Sequence, residues 1–560
     1  MGAVRNQLYD VVVIGGTPAG IAAAVAAARA GRSVALVEYH AHVGGMAVAG
    51  LGKSDIENRD LIRGFFREFV QRVRSYYADR YGTDSENFGL CREGYYYEPS
   101  VAEKVFEAIL AEQALIDVYR RFVLEQVEVV ANRVKSARVS SRTTGEPCIL
   151  RGRVFIDSTY EGDLYAMAGA AFRVGRESRA EFDEPHAGVV YFDPDENGFL
   201  PGSTGAADDR LPAYTYRLCL SSNPHNSYPL TGAPDNYDRQ VYLPYLDDLA
   251  AGRLSGPRHF VEGRGYNTKH FDTVVRALSV TELPNRKADA NINPRPLAFP
   301  FPEENIGYVE GDWTRREAIC VRHRELTLGL LYFLQNDSAV PLSHRKIANE
   351  YHLPLDEFVD NGHFPFQLYV REARRLKGCY TLTEQDVTWA SQPAAPRRHA
   401  DAVAVGEFPI DSFPVRKRQP ADSRTLEGYL CMLDRVTRPY QIPYRVMIPE
   451  TIDGLIVPVA ASASHVAFSS IRMEPTWMAL GHAAGVAAHL AIEHHFLPRE
   501  VPADKLQKLL RETGQVLDPA SYQSRDESGL DGASARPGQV PHLPTRPHFT
   551  KPHPKPHVPS

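Results

Sequence analysis

Residues Tyr9 to Glu38, YDVVVIGGTPAGIAAAVAAARAGRSVALVE, leave few options for how this chain begins to fold. Val11, Val12, Val13 and Ile14 form a β-branched run of the kind buried on both faces of a parallel sheet. Gly15-Gly16-Thr17-Pro18-Ala19-Gly20 is a glycine turn, and the alanine-rich run after it predicts a helix that can lie close on the sheet. Gly31 offers that helix a C-terminal cap. Ser33 to Val37 resumes the strand pattern, and Glu38 stands at its end. This is the order of a βαβ dinucleotide unit: N–H groups at the helix start receive a pyrophosphate, and Glu38 accepts from a ribose hydroxyl. On the pattern GxGxxG, Gly15 and Gly20 hold the first and third places while Thr17 replaces the middle glycine. Thr17 then either crowds the pyrophosphate or adds a hydroxyl contact.

The chain has 560 residues, enough for two or three domains and a large core. Its formal charge of -6 is spread over mixed signs, which gives no electrostatic reason to expect nucleic acid or an anionic membrane as partner. The six cysteines, Cys91, Cys148, Cys219, Cys320, Cys379 and Cys431, include no CxxC pair, as expected of a reduced protein without a zinc site. No apolar run reaches membrane-spanning length, and the first strand follows only a few polar residues, without room for a signal peptide. A cytoplasmic protein is the expectation.

Beyond Glu38, the loops His42-Val43-Gly44-Gly45-Met46 and Gly50-Leu51-Gly52-Lys53-Ser54-Asp55 leave bare backbone of the kind a planar ligand lies against. Asp60 to Tyr77 and Glu98 to Glu112 read as amphipathic helices, and short apolar runs near Val118, Val123, Val129 and Val139 as an antiparallel meander. Arg153 to Asp157 is a strand feeding the turn Ser158 to Asp163. From Arg173 to about Tyr440 the chain is rich in Pro, Tyr, Asn and Arg, with a long helix expected from Trp313 to Phe333. Strand character returns at Gly454 to Ala460, and Thr476 to Ile492 reads as a helix of small residues. The last stretch, rich in Pro and His, cannot bury a core; its His542, His548, His553 and His557 read as solvated.

Three separated blocks, Gly15–Glu38, Asp157–Asp163 and Gly481-His482-Ala483-Ala484-Gly485, together resemble the FAD-dependent oxidoreductases of the glutathione-reductase-like fold. More narrowly, HVGGMAVAGLGKSD, EPSVAEKVFE, FIDSTYEGDLYAMAGAAFRVGRE, ELPNRKADANIN, LYVREARRLKGCYTLTEQDV and ASASHVAFSSIRMEPTWMALGHAAGVAA resemble a bacterial FAD-dependent oxidoreductase family whose members are sometimes labelled xanthan lyase. The resemblance implies an α/β fold with a Rossmann-like FAD-binding domain of the glutathione-reductase type from residues 1–175 and 441–517 and an inserted α+β substrate domain at 176–440; the tail at 518–560 lies outside it and is expected to be disordered on composition. It implies FAD as cofactor. Pyrophosphate would lie over Gly15, Gly16, Thr17, Pro18, Ala19 and Gly20, the adenine ribose against Glu38, and the ribityl chain and ring along Gly44, Gly45 and Met46. Val123 would touch adenine through its backbone, and Asp163 would sit near the pyrophosphate or ribityl. A helix starting near Gly481, with Ala484 and Gly485, would turn free N–H groups toward N1 and O2 of the reduced flavin. Two departures stand out: Phe413 where the family is associated with a histidine, and Cys379 in place of an acidic residue.

Flavin carries the redox chemistry, so the protein must place a substrate C–H and manage a proton. His465 is the first candidate for that proton and Arg472 for holding negative charge on a small-molecule substrate, against an ion pair with Glu474. Arg371 and Arg374, three apart, could share a helical face and read as a solvated basic one, Lys53 and Asp55 as supporting residues, and Cys379 as a buried structural thiol. His42 raises covalent flavin attachment without demanding it. No second glycine-rich βαβ unit is visible, which disfavours a built-in NAD(P)H site and leaves oxygen, a quinone or another protein as electron acceptor. A polysaccharide lyase, as the family label suggests, or a flavin protein without a redox role are the alternatives.

Overall fold

A computed structural model describes residues 5–193, 198–250, 278, 280–291, 301–388, 397–417, 425–430, 433 and 436–520. Nearly all of the predicted tail, and Cys431, lie outside the described residues. The opening unit forms as the sequence demands: β1 (Arg5–Ile14), α1 (Pro18–Arg29) and β2 (Val34–Glu38). Pro18 occupies the first turn of α1, and Gly31, at φ +79°, takes the left-handed position just past its end.

Five strands lie parallel in the order β3 (Ile116–Arg120), β2, β1, β6 (Pro147–Asp157) and β12 (Leu455–Ile456). The last of these comes from the far end of the chain and pairs Leu455 and Ile456 with Phe155 and Ile156. The predicted meander forms in part: β4 (Phe122–Val130), which holds both Val123 and Val129, and β5 (Arg133–Ser141) run antiparallel and β5 pairs with the first half of β6, whereas Val118 lies in β3 on the parallel side. Alternation along the strands feeds two cores. Val11, Val13, Val34, Leu36, Val154 and Ile156 face the side of α1, and Val12, Ile14, Ala35, Val37, Phe155 and Leu455 face the other.

Among the helices between these strands are α2 (Gly45–Val48), α3 (Phe65–Tyr81), α4 (Pro99–Ala111) and α5 (Asp163–Met167). Residues 176–440 add an antiparallel sheet in the order β7 (Leu218–Ser221), β9 (Lys287–Ala290), β8 (Val280–Leu283) and the long helix α6 (Trp313–Asn336), capped by Asp312. Another antiparallel pair joins β10 (Ala402–Gly406) to β11 (Tyr440–Pro443). The core on the α1 side runs without a break into residues such as Tyr214, Leu218, Leu330 and Phe364.

Near the end of the described chain come α7 (His465–Ile471), α8 (Glu474–Glu493) and α9 (Ala503–Glu512). The expectation of a helix starting near Gly481 is corrected here: α8 begins at Glu474, with Pro475 in its first turn, and Gly481 lies two turns inside it. A Cβ on Gly481 would sit 2.1 Å from the Ala19 carbonyl oxygen, and one on Gly485 2.3 Å from that of Ala23. These glycines let α8 lie against α1, and their N–H groups are spent inside the helix. The strand expected over Gly454–Ala460 shrinks to two residues, and the segment holding Arg371 and Arg374 is loop rather than helix. Among the described residues no helix is long and apolar enough to cross a membrane.

Candidate active site

A cavity of about 390 Å³ opens at the carboxyl ends of β1 and β2, where parallel sheets bind their ligands. Gly15, Thr17, Glu38, His40, Thr159 and Asp163 line its inner wall, and Trp313, Arg316 and Phe366 its outer one. Gly15 has φ +99°, and a Cβ there would meet the Ser158 backbone at 2.6 Å, so only glycine lets β1 turn into α1 beside the second strand end. The Glu38 carboxylate accepts from the N–H of Gly16 (2.7 Å) and of His40 (2.8 Å). Burial makes it a weaker acid, its pKa pushed up to about 7, although both N–H groups oppose that. His40 is driven the other way, down to about 3, by burial and by Arg142 and His42, so it faces the cavity as a neutral ring. Across the mouth, Tyr39 stacks on Trp313 with ring centroids 3.5 Å apart, and Arg142 caps the other face of Tyr39.

The turn after β6 is built on Asp157, whose carboxylate accepts from Thr159 Oγ1 (2.7 Å), Thr159 N–H (3.0 Å) and Tyr165 N–H (2.9 Å). That turn delivers Asp163 to the cavity, where Arg316 grips it with two bonds (2.6 and 2.8 Å) and Arg374 adds a third (2.9 Å). Burial opposes ionisation there, but the Arg316 and Arg374 contacts prevail and hold Asp163 below the usual carboxylate range.

A second polar centre lies where α7 begins. Ser464 caps the helix, and His465 at its first position is buried. Its backbone N–H donates to Glu177 Oε2 (2.9 Å), its Nδ1 meets Glu372 Oε2 (2.8 Å) and its Nε2 meets Ser412 Oγ (3.3 Å). Arg375 fixes Glu372 from behind (2.8 Å) and also bonds Glu177. Arg472, one residue past α7, donates to the Tyr369 hydroxyl (3.0 Å) and to the Asp411 carbonyl (2.7 Å). The alternative pair with Glu474 does not form. Glu474 instead takes a hydrogen bond from the Tyr160 hydroxyl (2.5 Å), and burial pushes its carboxyl up to about 8.

The model of the FAD dependent oxidoreductases matches residues 10–510. The chain belongs to that family. FAD is therefore its cofactor, and oxidation or reduction its chemistry. No curated protein matches the chain. Among solved structures it is similar to a geranylgeranyl bacteriochlorophyll reductase-like protein from Thermoplasma acidophilum, at 14% identity and a TM-score of 0.36 over 90% of this chain and 84% of that one. It is also similar to the L-proline dehydrogenase of P. horikoshii (16% identity, TM-score 0.19, 32% of this chain) and to an FAD-complexed glycerol-3-phosphate dehydrogenase from Bacillus halodurans (15%, 0.21, 33%). The chain spans 26% of the length of the proline dehydrogenase and 43% of the glycerol-3-phosphate dehydrogenase.

The residues of this oxidoreductase fit the cofactor of its family. Glu38, the bare Gly15 turn and the start of α1 border one cavity, as the ADP half of FAD requires. At the first turn of α8, Glu474 Oε2, Thr476 Oγ1 and Trp477 Nε1 are buried polar atoms with no partner in the protein, as suits a wall facing a polar ring. The helix start expected near Gly481 lies instead at Glu474, and Gly481, Ala484 and Gly485 are interior to the helix. The signal was present in Pro475, a residue favoured at helix starts.

The other expected site residues divide. Gly15, Thr17, Glu38 and Asp163 line the cavity, while at the meander the lining is Arg121, Phe122 and Leu124 in place of Val123. Within the protein, the Thr17 hydroxyl accepts from Gly20 N–H (3.2 Å) and donates to the Ser158 carbonyl (2.9 Å). Gly44 donates to the Gly16 carbonyl (2.6 Å), and Met46 N–H to the Tyr160 hydroxyl (3.1 Å). Both ring nitrogens of His42 are taken by carboxylates, Glu103 (2.5 Å) and Asp360 (3.0 Å), and the bond to Glu103 helps raise it to about 9. Cys379 is exposed rather than buried. Arg371, expected on a solvated face, is 1% exposed, and Arg374 is drawn into the Asp163 network. Glu372 and Ser412, the partners of His465, were missed because they approach from 93 and 53 positions away.

Proposed function

We propose that this chain moves a hydride between a small polar organic substrate and flavin N5, with His465 exchanging the accompanying proton. Bound FAD supplies the two-electron chemistry. Glu38 would take the adenine ribose and the start of α1 the pyrophosphate, while residues 176–440 shape the substrate side. The carrying observation is the buried arrangement of His465 between Glu372 and Ser412. An ionised Glu372 only accepts, so it fixes the proton on Nδ1 and leaves Nε2 as the acceptor facing Ser412. A substrate hydroxyl or amine proton leaves through Nε2, directly or by way of the Ser412 hydroxyl, as the adjacent C–H departs as hydride. The imidazolium that results is stabilised by Glu372, itself held by Arg375. Arg472, with its N–H groups committed to Tyr369 and Asp411, supports negative charge through its field.

The test begins with the visible absorbance of the purified protein and continues with anaerobic mixing against sugars, polyols, hydroxy acids and amines. One class is expected to bleach the bound flavin. Protein without flavin absorbance, or flavin that no class bleaches, would remove the redox reading.

A further inference from the structure

Among the described residues, buried arginines are paired with carboxylates. Arg176 bonds Glu427 and Asp208, Arg217 bonds Asp289, Arg316 bonds Asp163, and Arg375 bonds Glu177 and Glu372. Arg371 is the exception. It is 1% exposed, yet among the described residues no carboxylate forms an ion pair with it; Asp411, whose charge reaches it, pairs with Arg472 (3.6 Å). One terminal nitrogen, Nη1, donates to the Ala213 carbonyl (2.8 Å). Nη2 has only a long contact to Asn291 Oδ1 (3.4 Å), and Nε has no acceptor at all. The guanidinium lies over the Phe413 ring, 3.6 Å from its centroid, with Tyr369 at 4.4 Å.

An uncompensated buried cation costs several kcal/mol, so a fold retains one where something else supplies the anion. Burial, reinforced by Arg472 and Arg217, lowers Arg371 to about 9, which still leaves it charged at neutral pH. Nε, without an acceptor, and Nη2, with only the long contact to Asn291, form one edge with two parallel N–H groups, the spacing that matches the two oxygens of a carboxylate. Phe413, whose ring covers the guanidinium, directly follows Ser412, the partner of His465. The anion position is thereby tied to the proton-transfer residue. Phe413 is also a departure noted in the sequence: a phenyl ring at this place exposes a π face to the cation where a histidine would compete with it for charge.

We propose that Arg371 anchors a carboxylate of the substrate by its Nε–Nη2 edge, so that the substrates of this enzyme are small organic carboxylates oxidised or reduced beside the carboxylate group. This names the substrate class of the site assigned above and rests on that reading. Substrate bound at Arg371 would present its neighbouring carbon toward the His465–Ser412 pair.

The test uses the FAD-loaded protein at constant ionic strength, titrated with acetate, lactate, pyruvate and benzoate, and with acetamide, propane-1,2-diol and benzamide as neutral counterparts. Melting temperature and the visible flavin spectrum are read for wild type, Arg371→Met and Arg371→Lys. Saturable responses to carboxylates but not to their neutral counterparts are expected in wild type. Arg371→Lys should weaken them by about tenfold to hundredfold, the worth of a charge-assisted hydrogen bond, and Arg371→Met should abolish them. Arg371→Lys keeps the charge and volume if the methionine variant fails to fold. Equal responses in wild type and variants, no response in any of them, or equal competition by phosphate and sulfate would overturn the inference. Bleaching by a neutral alcohol with an unchanged KM in the variants removes the carboxylate anchor and leaves the redox reading. Arg371-dependent carboxylate binding in a protein whose flavin nothing bleaches does the reverse.

Discussion

Thr17 and His465 show how the work of a single side chain is set by what reaches it. The Thr17 hydroxyl is both the N-cap of α1 and the tie to Ser158 across the cavity floor. Thr17→Ala should cost about 1–2 kcal/mol of stability and weaken FAD binding, while Thr17→Ser should retain both, as read by thermal melting and flavin titration. His465→Asn should slow anaerobic flavin reduction by about 10²–10⁴-fold with FAD still bound. Glu372→Gln should shift the pH profile of reduction without removing FAD. Normal reduction in the His465 variant would take the imidazole out of the mechanism. His465 was legible in the sequence as a histidine after a strand end. Glu372, which gives it a defined tautomer, was not, because the contact joins a loop to a helix from distant parts of the chain.

At the scale of elements, the contact between α1 and α8 decides where the second half of the nucleotide domain sits. Ala19 and Ala23 on one helix face Gly481 and Gly485 on the other at distances that admit no Cβ. Gly481→Ala would press a methyl group onto the Ala19 carbonyl, backbone that cannot rotate aside. It should lower stability by about 1–3 kcal/mol or more and loosen FAD binding through the displaced start of α1, measurable by melting and flavin release. An unchanged melting temperature would mean the helices separate freely. The small-residue pattern of both helices was visible in the sequence, and so was the existence of α8. Its start was misplaced because glycine pairs look alike whether they bare a helix end or admit a neighbouring helix. Arg371 was misplaced for a related reason: three-residue spacing suggested a helical face where the chain is a loop.

The whole molecule buries a set of carboxyl groups that resist ionisation, and this predicts its response to pH. Glu38 and Asp157 are pushed up to about 7, and Glu407 and Glu474 to about 8, in each case chiefly by burial. A carboxyl that ionises near its ordinary value when unfolded but near 8 when folded binds more protons in the folded state across that interval. Stability should therefore fall as pH rises from about 4.5 to 8. Glu407 isolates the effect, since it lies away from the cavity and accepts from the N–H groups of Glu57 and Asn58 (2.7–3.1 Å). Glu407→Gln should flatten the melting temperature between pH 5 and 8; a slope identical to wild type would show that Glu407 ionises freely in the fold.

By itself the sequence determined the βαβ unit, the acid at its end, part of the meander and the return of the chain to the same sheet. Each is a local pattern of apolar period, glycine and cap whose physics acts within a few residues. Tertiary structure alone decided that Thr17 serves the fold, that Gly481 serves packing, and that Glu372, Ser412 and Arg371 converge near His465. Those outcomes depend on burial and on partners tens or hundreds of positions away. Arg371 shows the reason most plainly: an arginine is a surface charge or an anion anchor according to whether the fold leaves it water or a carboxylate, and here it leaves neither.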